Sequence, residues 1–277
     1  MKHITELKDC SKDDINSIFQ IATQIKEGSH KDALKGKTLI LFFPNSSIRT
    51  RVTFEKGIHM LSGQSILFSS EALDKKEDIK DVVGYLCNLA DGIIIRHKNT
   101  NLIHTMAKES KIPIINGMSS TSHPCEILSD LYAIKNRTED FSRLKYTYIG
   151  PNSNIGRTWA QAAKIFGLDF IQSCPKNYEI ADTNVEYNIK KAIKNRDVIL
   201  TDSLAPELLK DFKEYQVTKA LMQLANKNAI LNPCPPFYRG EEVSSEVMDS
   251  DFFVGYEFKS CLLEVQQAIL LYCLQFS

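Results

Sequence analysis

Short apolar runs alternate with helical patterns along most of this chain, and that alternation admits few folds. Residues 38–43, 65–68, 92–95 and 112–116 read as strands. Helical faces lie before and between them. Ile15, Ile18, Phe19, Ile21 and Ile25 make one, and Phe54, Ile58 and Leu61 a second. Ile79, Val82, Val83, Leu86 and Leu89 make a third, and residues 100–110 a fourth. A polar stretch, 136–145, interrupts the pattern and marks a domain boundary. Alternation resumes with strands at 146–149, 168–171, 198–200 and 229–231 and a helix carrying Ile155, Trp159, Ala162 and Phe166. A final helix over 261–274 is apolar enough to dock on other elements. The pattern predicts an α/β fold of two domains, each a parallel sheet flanked by helices.

In such sheets ligands collect beyond the carboxyl ends of the strands. The first strand ends in Phe43-Pro44-Asn45-Ser46-Ser47-Ile48-Arg49-Thr50-Arg51, which opens a helix. Free N–H groups at a helix start favour an anion, and hydroxyls and guanidiniums at the same place make a phosphate cradle. A solvated cap would explain the hydroxyls but not two arginines directly behind a buried strand. Arg96-His97, Asn116 and the segment 119–126 lie at further strand ends, so four ends are expected to aim polar groups at one place.

Lys plus Arg and Asp plus Glu both number 34, so the basic groups at 49 and 51 are a local device. That balance argues against nucleic acid or an anionic membrane as the main partner. No apolar run approaches a membrane span, and the N-terminal residues do not read as a signal peptide. Seven scattered cysteines without zinc spacing read as reduced thiols of a cytoplasmic protein.

The loop Gly150-Pro151-Asn152-Ser153-Asn154 lacks the glycine spacing of a dinucleotide site, and no Walker A pattern occurs. Phosphate recognition therefore rests on Ser47, Arg49, Thr50 and nearby amides. His123 could cap its helix, yet with Arg49 and Arg96 it could also polarise a carbonyl. Asn154 and Asp202 end strands of the second domain; they either cap loops or meet a cationic amine. Cys234, between two prolines, is a packed thiol or a ligand contact.

Four motifs in order resemble the aspartate/ornithine carbamoyltransferase family, the ornithine branch most closely. Ser47-Ile48-Arg49-Thr50-Arg51 is similar to its Ser-Thr-Arg-Thr-Arg, and Lys76-Glu77-Asp78-Ile79-Lys80-Asp81 to its Lys-Glu-Ser-x-Lys-Asp. His123-Pro124-Cys125-Glu126-Ile127-Leu128-Ser129-Asp130 resembles His-Pro-x-Gln-x-Leu-x-Asp. Pro233-Cys234-Pro235-Pro236 with Arg239-Gly240-Glu241-Glu242-Val243 resembles His-Cys-Leu-Pro and Arg-Gly-Glu-Glu-Val. The resemblance implies a carbamoyl-phosphate-binding domain over 1–138 and an amino-acid (ornithine)-binding domain over 139–258. It also implies a C-terminal helix over 259–277 that returns to the first domain.

The implied reaction carries a carbamoyl group from carbamoyl phosphate to an amine, without metal or organic cofactor. Ser47, Ile48 through its amide, Arg49 and Thr50 would hold phosphate; Arg96, His123 and Thr50 would polarise the carbamoyl oxygen. Glu126 would accept from the carbamoyl NH2. Lys76 belongs to a loop that would reach a neighbour's active site in a homotrimer with shared sites. Asn154 and Asp202 would bind the amino-acid end of the substrate. Cys234 and Pro235 would lie near its reacting amine, with a cis Pro235-Pro236 bond. Closure between the domains is also implied.

The chain departs from the family at several points. Ile48 stands for threonine, Glu126 for glutamine and Pro233 for histidine. Leu262 aligns with a carbamoyl-binding arginine, leaving Lys259 as the nearest substitute. Ser203-Leu204-Ala205-Pro206-Glu207 is shorter than the family loop and lacks its Ser-Met-Gly. The losses fall on the amine-substrate side and on the carbamoyl amide, while the phosphate cradle is largely kept. N-acetyl- and N-succinylornithine are therefore the alternative acceptors, and a non-catalytic phosphate-binding homologue is the alternative of another class.

Overall fold

The computed structural model describes residues 2–275, which divide into two compact units. One comprises the chain up to Ile134 together with the segment from Lys259 onward; the other is Lys135–Phe258.

The first unit holds strands β1 (Thr38–Phe42), β2 (Gln64–Phe68), β3 (Gly92–Arg96) and β4 (Ile114–Met118) in the order β2-β1-β3-β4, all parallel. Its helices are α1 (Lys12–Lys26), α2 (Arg49–Met60), α3 (Ile79–Leu86), α4 (Thr100–Glu109) and α5 (Pro124–Lys135), the last of which ends at the unit boundary. The second unit holds β5 (Lys145–Ile149), β6 (Asp169–Ser173), β7 (Asn184–Val185), β8 (Val198–Thr201) and β9 (Ile230–Pro233) in the order β7-β6-β5-β8-β9, again parallel. Helices α6 (Asn154–Phe166), α7 (Ile189–Ile193), α8 (Lys219–Met222) and α9 (Ser245–Met248) belong to it. Helix α10 (Gly255–Ser260) leads back into the first unit, where α11 (Leu262–Leu274) packs on α1 and α2. Among the described residues no helix is long and apolar enough to cross a membrane.

The sequence pattern translates directly into these elements. Ser11 and Asp14 form a capping box that starts α1, and Ile15, Ile18, Phe19, Ala22 and Ile25 bury its inner face. Gly167, in the left-handed region, ends α6. Some boundaries differ from expectation. β4 begins two residues later than the pattern suggests, because Pro113 has no N–H to donate and the Ser110 hydroxyl takes the Ile112 amide. Leu89 lies beyond α3 and is exposed. β7 has only two residues and no apolar alternation to announce it. Asn116 is not at a strand end: it lies inside β4, fully buried, and its side chain donates to the Thr5 carbonyl at 2.8 Å. It fastens the N-terminal segment to the sheet edge, beside the Ile4–Ile115 bridge.

Asp14 joins three parts of the first unit. Its carboxylate accepts from Lys2 at 2.8 Å, from the Ser11 amide at 2.8 Å and from the Tyr272 hydroxyl of α11. Burial alone would raise this carboxyl, but the Lys2 ammonium, the Tyr272 hydroxyl and the Ser11 donors outweigh it and hold it well below the usual carboxylate range.

In the second unit, the buried ring of Tyr148 organises the loop after β5. Its hydroxyl lies 2.9 Å from Ser153 Oγ and donates to the Pro151 carbonyl at 3.1 Å. A Cβ on Gly150 would lie 2.6 Å from that hydroxyl, and one on Gly156 would lie 2.5 Å from the ring edge. These glycines make room for an aromatic ring.

Two outcomes follow from these contacts. Asp14→Asn should cost about 1–2 kcal/mol by urea denaturation near neutral pH, since charge-assisted bonds are lost. The stabilisation is present above the ordinary carboxylate pKa of about 3.9 and disappears as pH falls through the lower folded value, so wild type and variant should converge in acid. Gly156→Ala should destabilise by about 1–2 kcal/mol, because overpacking against Tyr148 exceeds the helix-propensity gain of alanine.

Candidate active site

β1 and β3 are neighbours in the first sheet, with Phe42 opposite Ile95, so their carboxyl ends emerge side by side. After β1 the chain turns through Asn45 and Ser46 and enters α2 at Arg49. Ile48 stands at the cap position and makes no side-chain cap bond, and no acidic residue occupies the first turn. The leading amides of α2 therefore keep their capacity for an external anion.

Ser47 and Thr50 are both buried here. Arg96, the last residue of β3, reaches across and donates through Nη1 to Ser47 Oγ at 3.1 Å and Thr50 Oγ1 at 3.3 Å. This fixes a guanidinium at an open helix start. Arg49 is exposed on the first turn of α2, while Arg51 is turned into a pair with Glu55 at 3.1 Å. Of the two sequence arginines, Arg49 is thus the one left for the cradle.

His123 immediately precedes Pro124, the first residue of α5, and is only 6% exposed. Burial pushes its imidazole down to about 4; the Arg96 and Lys259 charges act in the same sense, and Glu126 opposes them. At neutral pH it is an uncharged ring able to donate one N–H. Glu126 lies on the first turn of α5 and is buried. Burial would raise its carboxyl, but Lys259, His123 and Arg49 hold it below the usual range. Lys259 bonds Glu126 Oε1 at 3.2 Å and Asp130 Oδ1 at 2.7 Å. The structure thus brings Ser47, Thr50, Arg49, Arg96, His123, Glu126 and Lys259 into one electrostatic neighbourhood of the first unit.

Lys76 is exposed in the bend after Leu73. The base of its loop is tied down by Asp74, which lies 3.0 Å from Nε2 of the buried His97. Nδ1 of His97 accepts from the Asn99 amide at 3.1 Å, so Nε2 carries the proton and donates to Asp74. His97 therefore anchors a loop rather than joining the cradle.

The second unit carries a separate cluster. Ser153, not Asn154, caps α6, accepting from the Gly156 amide at 3.2 Å; Asn154 is the first helical residue. Asp202 follows β8 and accepts from the Ser203 amide at 2.9 Å. Cys234 follows β9, donates its amide to the Thr201 carbonyl at 2.9 Å and precedes the cis Pro235–Pro236 bond. Asp202 and Cys234 both act electrostatically on the buried Tyr148, whose hydroxyl is raised chiefly by burial. All seven cysteines are free thiols.

Sequence reasoning assigned no role to Glu242. It is buried, and Oε1 accepts from the Tyr238 amide at 2.7 Å. Burial, reinforced by Glu241 and Asp202, pushes its carboxyl up to about 7. Its motif was visible in the sequence; its burial was not. Asp130 was likewise visible as part of a motif without a role. Among the described residues no group of three or more His, Cys, Asp or Glu side chains could hold a metal ion.

Residues 2–136 match the carbamoyl-P binding domain of the aspartate/ornithine carbamoyltransferases, and residues 142–273 match the Asp/Orn binding domain. The ornithine carbamoyltransferase of Methanosphaera stadtmanae is 34% identical, the match covering 98% of each chain. That of Hydrogenovibrio crunogenus is 33% identical over 98% of each. Among solved structures, the ornithine carbamoyltransferase from Pyrococcus furiosus superposes with a TM-score of 0.94 at 28% identity, covering 99% of this chain and 97% of that one. The anabolic ornithine carbamoyltransferase from Campylobacter jejuni gives 0.93 at 30% identity, covering 100% of both. With both of its halves matched and relatives of this identity aligned end to end, the chain belongs to the aspartate/ornithine carbamoyltransferase family.

Proposed function

We propose that this protein transfers the carbamoyl group of carbamoyl phosphate to the side-chain amine of L-ornithine, giving citrulline and phosphate. The observation that carries the reading is Arg96: its guanidinium is fixed on two buried hydroxyls at an uncapped helix start, next to a neutral His123. In this reading Ser47, Arg49, Thr50 and the Ile48 amide bind phosphate. Arg96, His123 and Thr50 polarise the carbamoyl oxygen, and Glu126 accepts from the carbamoyl NH2.

The uncharged amine attacks the carbonyl carbon, and negative charge grows on its oxygen and on the departing phosphate. Fixed donors stabilise that charge without reorganising. The leaving phosphate takes the amine's proton, so the protein supplies no dedicated base. Asn154 and Asp202 hold the amino-acid end, with Cys234 and Pro235 beside the reacting amine.

The working assembly in this reading is a homotrimer with shared sites, to which Lys76 contributes across the interface, in the cytoplasm. Its support is exposed apolar surface on the first unit: Ile48, Val52, Ile66, Phe68, Tyr85 and Leu89. Large apolar side chains left in water on one unit are suited to burial between subunits. A second reading has its own observation. Ile48, 71% exposed where the family has a threonine, offers an apolar contact suited to an acyl group, which supports N-acetyl- or N-succinylornithine as acceptor.

Purified protein with carbamoyl phosphate and a panel of amines decides among these by the ureido product formed. Citrulline from ornithine is the expected result. Product from acylated ornithine alone would replace the acceptor, and no product from any amine would overturn the reaction. Arg96→Ala should lower kcat/KM by about a thousandfold and His123→Ala kcat by about a hundredfold. Because His123 is already neutral above about pH 4, it should contribute no acid limb to the rate profile near neutrality. Activity should instead rise with pH as the acceptor amine loses its proton, and a His123→Gln variant should keep that rise.

A further inference from the structure

Two buried carboxylates four residues apart on one helix repel each other, and burial penalises both. Glu126 and Asp130 stand in this relation on α5, with their side chains 8% and 3% exposed. A single ammonium, Lys259 from the last turn of α10, bonds both of them. Lys259 is separated from them by the whole second unit in sequence, so this is a tertiary device and not a local helix pair. It is also costly in isolation: a lysine with an 18% exposed side chain has given up much of its hydration.

The site nearby suggests what the device is for. Glu126 lies on the first turn of α5, three residues after His123, and its charge acts on that ring. A carboxylate there is unfavourable to a phosphate ligand unless a cation offsets it. A carboxylate oxygen, unlike an amide, is purely an acceptor. We propose that Lys259 is a positioning residue for the donor subsite: its ammonium binds Glu126 and Asp130 together and so fixes the Glu126 carboxylate, one turn from His123, as the acceptor for an N–H of the donor's carbamoyl group. The inference rests on the proposed reaction for the identity of the donor. It adds a basis for choosing that donor: acetyl phosphate has the same phosphate and carbonyl but a methyl group in place of the NH2, and cannot donate to Glu126.

The groups that bear on Glu126 are His123 and Asp130 of its own segment, Lys259 of α10 and Arg49 of α2; Arg96 of β3 bears on His123. Removing the ammonium leaves Arg49 and a neutral His123 against two buried carboxylates. Glu126 then takes up a proton at higher pH than in the wild type, and in that form only its carbonyl oxygen accepts, more weakly than a carboxylate or an amide oxygen does. The loss must therefore be greatest at low pH and diminish as pH rises.

The test measures binding of carbamoyl phosphate and of acetyl phosphate to the full chain by calorimetry, at about pH 6 and about pH 8, and so does not depend on turnover. The wild type should prefer carbamoyl phosphate by about tenfold at both pH values, one hydrogen bond's worth of discrimination. Lys259→Met should lose most of that preference at the lower pH and regain it at the higher one. Adding Glu126→Gln to Lys259→Met should restore the preference at both, because an amide oxygen accepts without needing a countercharge. Circular dichroism of each variant establishes that it is folded. A preference in Lys259→Met that equals the wild type's at both pH values overturns the proposal. So does an equal loss at both that Glu126→Gln fails to restore, and so does a wild type that binds the two donors alike. Selective binding of carbamoyl phosphate without ureido product from any amine would instead overturn the proposed reaction and leave this assignment standing.

Discussion

The first unit's chemistry depends on one guanidinium with two buried hydroxyl partners. Ser47 and Thr50 are withdrawn from water at the start of α2, and buried hydroxyls need partners. Arg96 supplies them because β1 and β3 are adjacent and in register, which brings a strand terminus beside a helix start. Sheet order therefore decides where the positive charge sits. The same contact orders the turn between Phe42 and Arg49, whose apolar cap residue leaves the helix amides uncommitted.

Around that guanidinium the charges are arranged with care for the neutral ring between them. His123 is kept uncharged by burial and by its cationic neighbours, so the ring adds no further positive charge there at neutral pH. Glu126 is kept ionised by cationic neighbours as well, but against its burial. Two titratable groups three residues apart on one helix start are thus driven away from protonation for different reasons, one by desolvation and one in spite of it. By the resemblance, Glu126 and Leu262 stand where the family has glutamine and arginine; Glu126 bonds Lys259, three residues before Leu262.

Much of this was legible in the sequence. Alternating apolar runs identify both parallel sheets, and polar groups following strands single out Arg49, Arg96 and His123, which the structure gathers into one electrostatic neighbourhood, because side-chain period and sheet topology follow from local rules. What escaped depends on long-range partners. Asn116 looks like a strand-end ligand until Thr5 is seen to take its amide, and His97 looks like a site residue until Asp74 is placed against it. Arg51 seems equal to Arg49 until Glu55 pairs with it. Lys259 could be named as a substitute, but its grip on Asp130 could be learned only from the fold. Tyr148 accounts for the glycines at 150 and 156, a steric reason that no spacing rule expresses.

The first unit is discontinuous: its last helix is encoded after the entire second unit. A ribosome makes the chain from the amino end, and domains fold as they emerge. The second unit is an uninterrupted segment and can complete itself during synthesis. The first must wait, with α1 and α2 lacking α11, and with Glu126 and Asp130 lacking Lys259, until translation has passed them all. The nascent protein therefore completes the charge cluster of its first unit last, although most of that cluster's residues were translated first.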